Sequence, residues 1–138
     1  MIVGNTILSL LALAGFFVSS PSAEPLVCNL DALNGPERER HQALGEKLRS
    51  AVVRREELAN GYTLVLDLGR LPHDAAGSPF CVVEIAEWVD LEARCCPFLD
   101  FGIELSGKGG NVRLRLTGGK NVKAFLKEEL GLAHSPSR

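Results

Sequence analysis

Leu99-Asp100-Phe101-Gly102-Ile103-Glu104-Leu105 and, beyond Gly107-Lys-Gly-Gly-Asn111, Val112-Arg113-Leu114-Arg115-Leu116 decide how this chain folds. In both runs apolar residues alternate with charged or small ones. That is the period of a strand with one side in a core. The glycine-rich turn joins them as a hairpin, and Gly118-Gly119 ends it. A second hairpin is read upstream, from Val52 to Leu58, through Ala59-Asn60-Gly61, to Tyr62–Leu68. Asn-Gly favours a tight turn because both residues tolerate positive φ. Tyr62, Leu64, Leu66 and Leu68 alternate with Thr63, Val65 and Asp67, although the preceding run VVRREEL can also be read as a longer helix.

Helical patterns separate these hairpins. Asn34-Gly-Pro-Glu37 reads as a capping box, with Pro36 in the first turn. The helix it opens runs to about Ser50. His41, Leu44, Leu48 and Ala51 share one side of it, and Arg38, Glu39, Glu46, Lys47 and Arg49 the other. A second helix is expected to start at Ser78-Pro79 and to stop at about Cys95, because Pro97 disfavours helical geometry at Cys96. Val82, Ile85, Ala86, Val89 and Cys96 form its expected stripe, with Trp88, Leu91 and Cys95 beside it. A third helix, Asn121 to Leu130, buries Val122, Phe125, Leu126 and Leu130, and Gly131 ends it. The order is αββαββα. The expectation is an α+β domain: a four-stranded antiparallel sheet with the helices packed on one face, the other face being polar or covered by a partner.

The chain has 138 residues, 15 basic and 17 acidic, and a net charge of −2. That length suits one domain, and the charge balance argues against a nucleic-acid binder. No charged side chain precedes Glu24, and Ile7 to Val18 is an apolar run followed by Ser19-Ser20-Pro21-Ser22-Ala23. Residues 1–23 therefore read as a signal peptide or N-terminal anchor, and 24–138 as the single α+β domain. The apolar run is short for a membrane span. A cleaved chain would be periplasmic or secreted, with no stable span left. An uncleaved one would be membrane-anchored, a reading favoured by the lack of Lys or Arg near the start.

The four cysteines are Cys28, Cys81, Cys95 and Cys96. On one helix Cys81 and Cys95 would lie ~21 Å apart, beyond the ~7 Å reach of a disulfide. Cys81 can therefore pair only with Cys28 or stay free. Cys95 and Cys96 would form a strained vicinal ring. If both are helical, their side chains diverge by ~100°, placing one thiol in the core and the other at a pocket.

Cys28-Asn-Leu-Asp-Ala-Leu33, Glu37-Arg-Glu-Arg-His41, Asn60-Gly-Tyr62, Glu92-Ala-Arg-Cys-Cys-Pro-Phe-Leu99, Leu116-Thr-Gly118 and Val122-Lys-Ala-Phe-Leu126 together resemble an uncharacterised family of small bacterial proteins marked by an E-x-x-C-C-P-F signature. The resemblance spans most of residues 28–130 and implies no established activity. Cys28, His41, Glu92, Cys95 and Cys96 fall on its motif positions. Cys81 does not, which favours an incidental role for it.

Cys28, Cys95 and Cys96, with His41 and Glu92 near, make a soft-donor set, and thiolates select Cu(I), Zn(II) and heavier soft ions. Without a C-x(2–4)-C spacer a four-cysteine zinc site does not fit. A two- or three-thiolate site for a soft or heavy ion fits better, and it requires Cys28 within about 6 Å of Cys95 or Cys96. Two other readings stand beside it. One is a structural or interaction domain stapled by a disulfide or buried thiols. The other is a thiol–disulfide redox protein, which the helix C-terminus beside Cys95 and Cys96 disfavours. No catalytic set is read from spacing. Thr117-Gly-Gly-Lys120 is read as a plain turn rather than an anion site, and Arg113 and Arg115 as a solvated face. Glu92 alone would most often be a solvated charge, and His41 a satisfied core residue.

Overall fold

The computed structural model describes residues 25–70, 81–107 and 111–131. The signal or anchor reading of 1–23, residues Ser78 and Pro79 and the tail beyond 131 lie outside them; the second helix opens at Val82, with the extended Cys81 as its N-cap, and not at Ser78 as expected. The elements follow the order α1 Gly35–Ala51, β1 Val52–Leu58, β2 Gly61–Leu66, α2 Val82–Cys95, β3 Leu99–Leu105, β4 Val112–Gly118 and α3 Val122–Glu129. The strands form one antiparallel sheet in the order β1-β2-β4-β3. The α+β class and the αββαββα order are as the alternation implied. No described helix is long and apolar enough to cross a membrane.

The capping box of α1 forms: Asn34 accepts from the Glu37 N–H, and Glu37 accepts from the Asn34 N–H, both at 2.9 Å. The helix ends where Val52-Val53 begins a β-branched run, and the Ala51 carbonyl accepts from the Asp67 N–H at 2.9 Å. VVRREEL is thus a strand and not a prolonged helix, with a bulge between Val52 and Arg54. The Asp67–Ala51 bond continues the β1–β2 pairing one step past Val52 and Leu66; β2 itself ends at Leu66, and Leu68–Arg70 form a 3-10 turn. In the lead-in, Leu30–Ala32 also make a 3-10 turn rather than extended chain, because Asn29 Oδ1 caps the Asp31 N–H.

The register stacks the apolar alternation into rows: Tyr62–Leu116–Phe101, Leu64–Leu114–Ile103 and Leu66–Val112–Leu105. Most of these side chains join the buried residues of the three helices in one hydrophobic cluster. The intervening positions carry charge on β1 and β4 but are the buried Thr63 and Val65 on β2. Arg113 forks onto Glu56 at 3.1 and 2.5 Å across the buried Val65. The Asn-Gly turn differs from its reading. Ala59 and Asn60 make the loop and Gly61 opens β2 opposite Thr117, and positive φ among the described residues occurs only at Asn121 and Gly131. Gly61 is required by close approach: a Cβ there would meet the Leu116 carbonyl oxygen at 2.0 Å. Gly131, at φ 64°, does end α3 in the left-handed conformation.

In α2 the buried stripe is Ile85, Trp88, Leu91 and Cys95, not the neighbouring one expected. Ala86 is exposed and Val82 and Val89 are only half-buried. This stripe packs in one cluster with Leu44, Leu48 and Ala51 of α1, which runs antiparallel to α2, with Arg40–Glu87 at 2.7 Å, Lys47–Glu84 at 2.9 Å and Arg94–Glu37 at 2.9 Å between them.

Candidate metal centre

The site forms where α2 runs out. Cys95 is its last residue, and Cys96 leaves the helix at φ −122° and ψ 67°, outside the helical region that Pro97 disfavours for the residue before it. The Cys96 N–H still closes onto the Glu92 carbonyl at 2.7 Å, and the Leu99 N–H caps the Cys96 carbonyl at 3.1 Å. The lead-in is pinned across this end. The Asn29 N–H donates to the Cys95 carbonyl at 2.7 Å, and Leu33 is buried. Arg94 bridges Glu37 and the Ala32 carbonyl, and holds the Glu37 carboxyl below its ordinary range. Cys28 is delivered to Cys96, and the two form a disulfide with Cα atoms 4.6 Å apart. Cys28 meets the distance that the metal reading required.

Both adjacent cysteines are buried, so they do not divide into a core thiol and a pocket thiol. The expected divergence needs two helical residues, and Cys96 is not helical. Their sulfurs lie 3.7 Å apart on either side of the Glu92 carboxylate, Cys96 Sγ at 3.3 Å from Oε1 and Cys95 Sγ at 3.9 Å from Oε2. Two sulfurs on one tetrahedral ion at ~2.3 Å stand ~3.8 Å apart. The Cys95 thiol also donates to the Glu92 carbonyl at 3.4 Å. Burial first, and the Glu92 carboxylate second, push this thiol up to about 11.

Glu92 is not a solvated charge: its side chain is 14% exposed. His41, from α1, lies 2.5 Å from Glu92 Oε2 through Nε2 and stacks on Trp88, with ring centroids 6.0 Å apart and planes 12° from parallel. All five residues singled out by sequence therefore meet. Cys28, Glu92 and Cys96 form one set, and His41, Glu92 and Cys95 a second, each with ligand atoms within 4.8 Å of one another.

The cluster opens on a cavity of about 740 Å³ whose walls include Leu26, Leu30, Trp88, Leu116, Phe125 and Leu130, with Arg38, Glu39, Arg49, Glu128 and Glu129 also facing it. Sequence reasoning missed Trp88 as the plate behind His41. Its place one helical turn before Glu92 was the available signal. Cys81 stands apart: it is free and exposed, and as the residue capping α2 it donates its backbone N–H to Glu84. Thr117-Gly-Gly-Lys120 closes β4 and leads to Asn121, which caps α3 in a left-handed conformation without a side-chain bond. Compared with known proteins, the chain matches no family model, no curated protein and no solved structure.

Proposed function

We propose that this protein captures a soft metal ion, Cu(I) or a heavier thiophilic ion, through the thiolates of Cys28, Cys95 and Cys96. Glu92 and His41 flank the ion, and Cys28–Cys96 is the oxidised form of the same site. The observation that carries the reading is the convergence of three sulfurs on one carboxylate. They come from the lead-in and the end of α2. A folding staple needs two sulfurs; Cys95 packs in the core as well, but a staple does not require that its sulfur face Glu92 beside the bridge. Opening the bridge takes two electrons and two protons from an external dithiol, which becomes a disulfide. The ion then displaces the thiol protons. We place this activity outside the cytoplasm, after removal of residues 1–23, on the strength of their apolar pattern and of the disulfide itself. We also place the chain in the E-x-x-C-C-P-F family: Glu92, Cys95 and Cys96 fall on its signature, and Cys28 and His41 on its other motif positions.

A second reading, a disulfide staple with no ion, is favoured by the bridge alone, which ties residues 68 positions apart. Titration of the reduced, oxygen-free protein with Cu(I) against a chromophoric competitor separates the two. Capture predicts one ion per chain, an affinity at least a hundredfold weaker in Cys95→Ser, and no change in Cys81→Ser. A reduced chain that takes up no Cu(I), or a Cys95→Ser variant that takes it up equally well, rules capture out and leaves the staple. N-terminal mass analysis of the chain recovered from the periplasm tests the export proposal.

A further inference from the structure

With the bridge closed, Cys28 and Cys96 have no thiolate to offer, and the two donor sets around Glu92 part company. One keeps its full chemistry: His41 Nε2, the Glu92 carboxylate and Cys95 Sγ lie within 4.8 Å of one another, untouched by the disulfide. We infer that the oxidised protein holds a separate metal site made of His41, Glu92 and Cys95, which takes a borderline divalent ion of the zinc class.

The donor set argues for that class. One nitrogen, one oxygen and one sulfur suit an ion between hard and soft, whereas a purely soft ion favours sulfur. Glu92 and Cys95 stand three apart on α2 and so share a helix side. His41 comes from α1, held at their height by the Arg40–Glu87 and Arg94–Glu37 pairs on either side. Its ring is steadied by Trp88.

All three residues line the same cavity, so a tetrahedral ion would have its fourth position toward that space. Three protein ligands with one open position is the pattern of zinc sites that bind water or a further ligand. Access runs past His41 and Glu92, whose side chains are 19% and 14% exposed, because Cys95 behind them is sealed. His41 Nε2 and Glu92 Oε2, now 2.5 Å apart, would have to open to about 3.3 Å to share an ion at ~2.0 Å. Binding expels the Cys95 thiol proton into solvent and takes His41 as the neutral ring with its proton on Nδ1, so that the Nε2 lone pair faces the ion.

Co(II) is the probe, added to the full chain without reductant in a Cys81→Ser background, so that Cys95 is the one free thiol. The inference predicts one Co(II) per chain, a thiolate-to-cobalt charge-transfer band in the near ultraviolet, and displacement of that band by Zn(II). Cys95→Ser should abolish the band, and His41→Gln, at a partly buried position, should weaken uptake at least tenfold with the band retained at saturation. No such band on the oxidised protein, or uptake unchanged in His41→Gln, overturns the inference. The soft-ion reading would survive that result, because it requires Cys28 and Cys96 as thiolates, which this experiment never generates.

Discussion

The backbone N–H of Asn29 donates to the carbonyl of Cys95 over 2.7 Å. That carbonyl is one of those a helix leaves unpaired at its C-terminus. By satisfying it from the lead-in, the chain sets Cys28 opposite Cys96. The same end of α2 presents Cys95 and Glu92 to His41. Cap, disulfide and donor cluster are therefore one local arrangement.

Because the bridge closes a long loop, its loss should be costly. For a sequence separation of 68 the chain-entropy relation gives about 4 kcal/mol. Cys28→Ser should lower the urea unfolding free energy by roughly 2–5 kcal/mol relative to the oxidised protein. A change below about 0.5 kcal/mol, the usual scale of a surface substitution, would mean that the bridge constrains nothing.

The two free thiols should react very differently. Cys81 is exposed and Cys95 buried, and the Cys95 thiol is pushed up to about 11. At pH 8 roughly one Cys95 in a thousand would be thiolate, the reactive form. Iodoacetamide and mass spectrometry on the native oxidised protein should show one fast label, at Cys81, and a second only on unfolding. Comparable labelling of both would contradict the burial.

Gly61→Ala should damage the fold although the residue adjoins a turn. Its Cβ would strike the Leu116 carbonyl oxygen at 2.0 Å and Thr117 Cα at 2.8 Å, so β2 and β4 would have to separate. A loss of about 1–3 kcal/mol or more is expected, read as a lower thermal midpoint. An unchanged midpoint would show that the two strands do not approach this closely.

How much of this was legible in sequence follows from which forces act locally. The α1 cap, the alternating strands and the stop before Pro97 depend on neighbouring residues, and they were readable. The stripe of α2 was missed because its rotation depends on packing against α1 and the sheet, whose residues are far away in sequence. Gly61 was read for its dihedral freedom, whereas Leu116 crowds it from another strand. At the site, the five residues and the closeness of Cys28 to the pair were anticipated. The choice of Cys96 over Cys95 was not, because it turns on the exit dihedrals of α2 and on the Asn29 bond.

Acid should weaken the sheet through Glu56. Hydrogen bonds from Arg113 first and Arg54 second lower its carboxyl from 4.5 to about 2. A depressed folded value stabilises at pH above the unfolded value and is lost as pH falls through the folded one. The Glu56 contribution should therefore be complete above about pH 4.5 and vanish toward pH 2. Glu56→Gln should flatten the stability profile in that window, measured by urea unfolding at stepped pH. A profile as steep as that of the unaltered protein would place the acid sensitivity elsewhere.

The central claim, that three sulfurs gathered at Glu92 hold a soft ion, is tested most directly by X-ray absorption at the copper edge. The sample is the reduced protein carrying one Cu(I), with Cys81 replaced by Ser. Two or three sulfur neighbours are expected at about 2.3 Å, the usual metal–thiolate distance. A first shell of nitrogen and oxygen alone, or with a single sulfur, would contradict it.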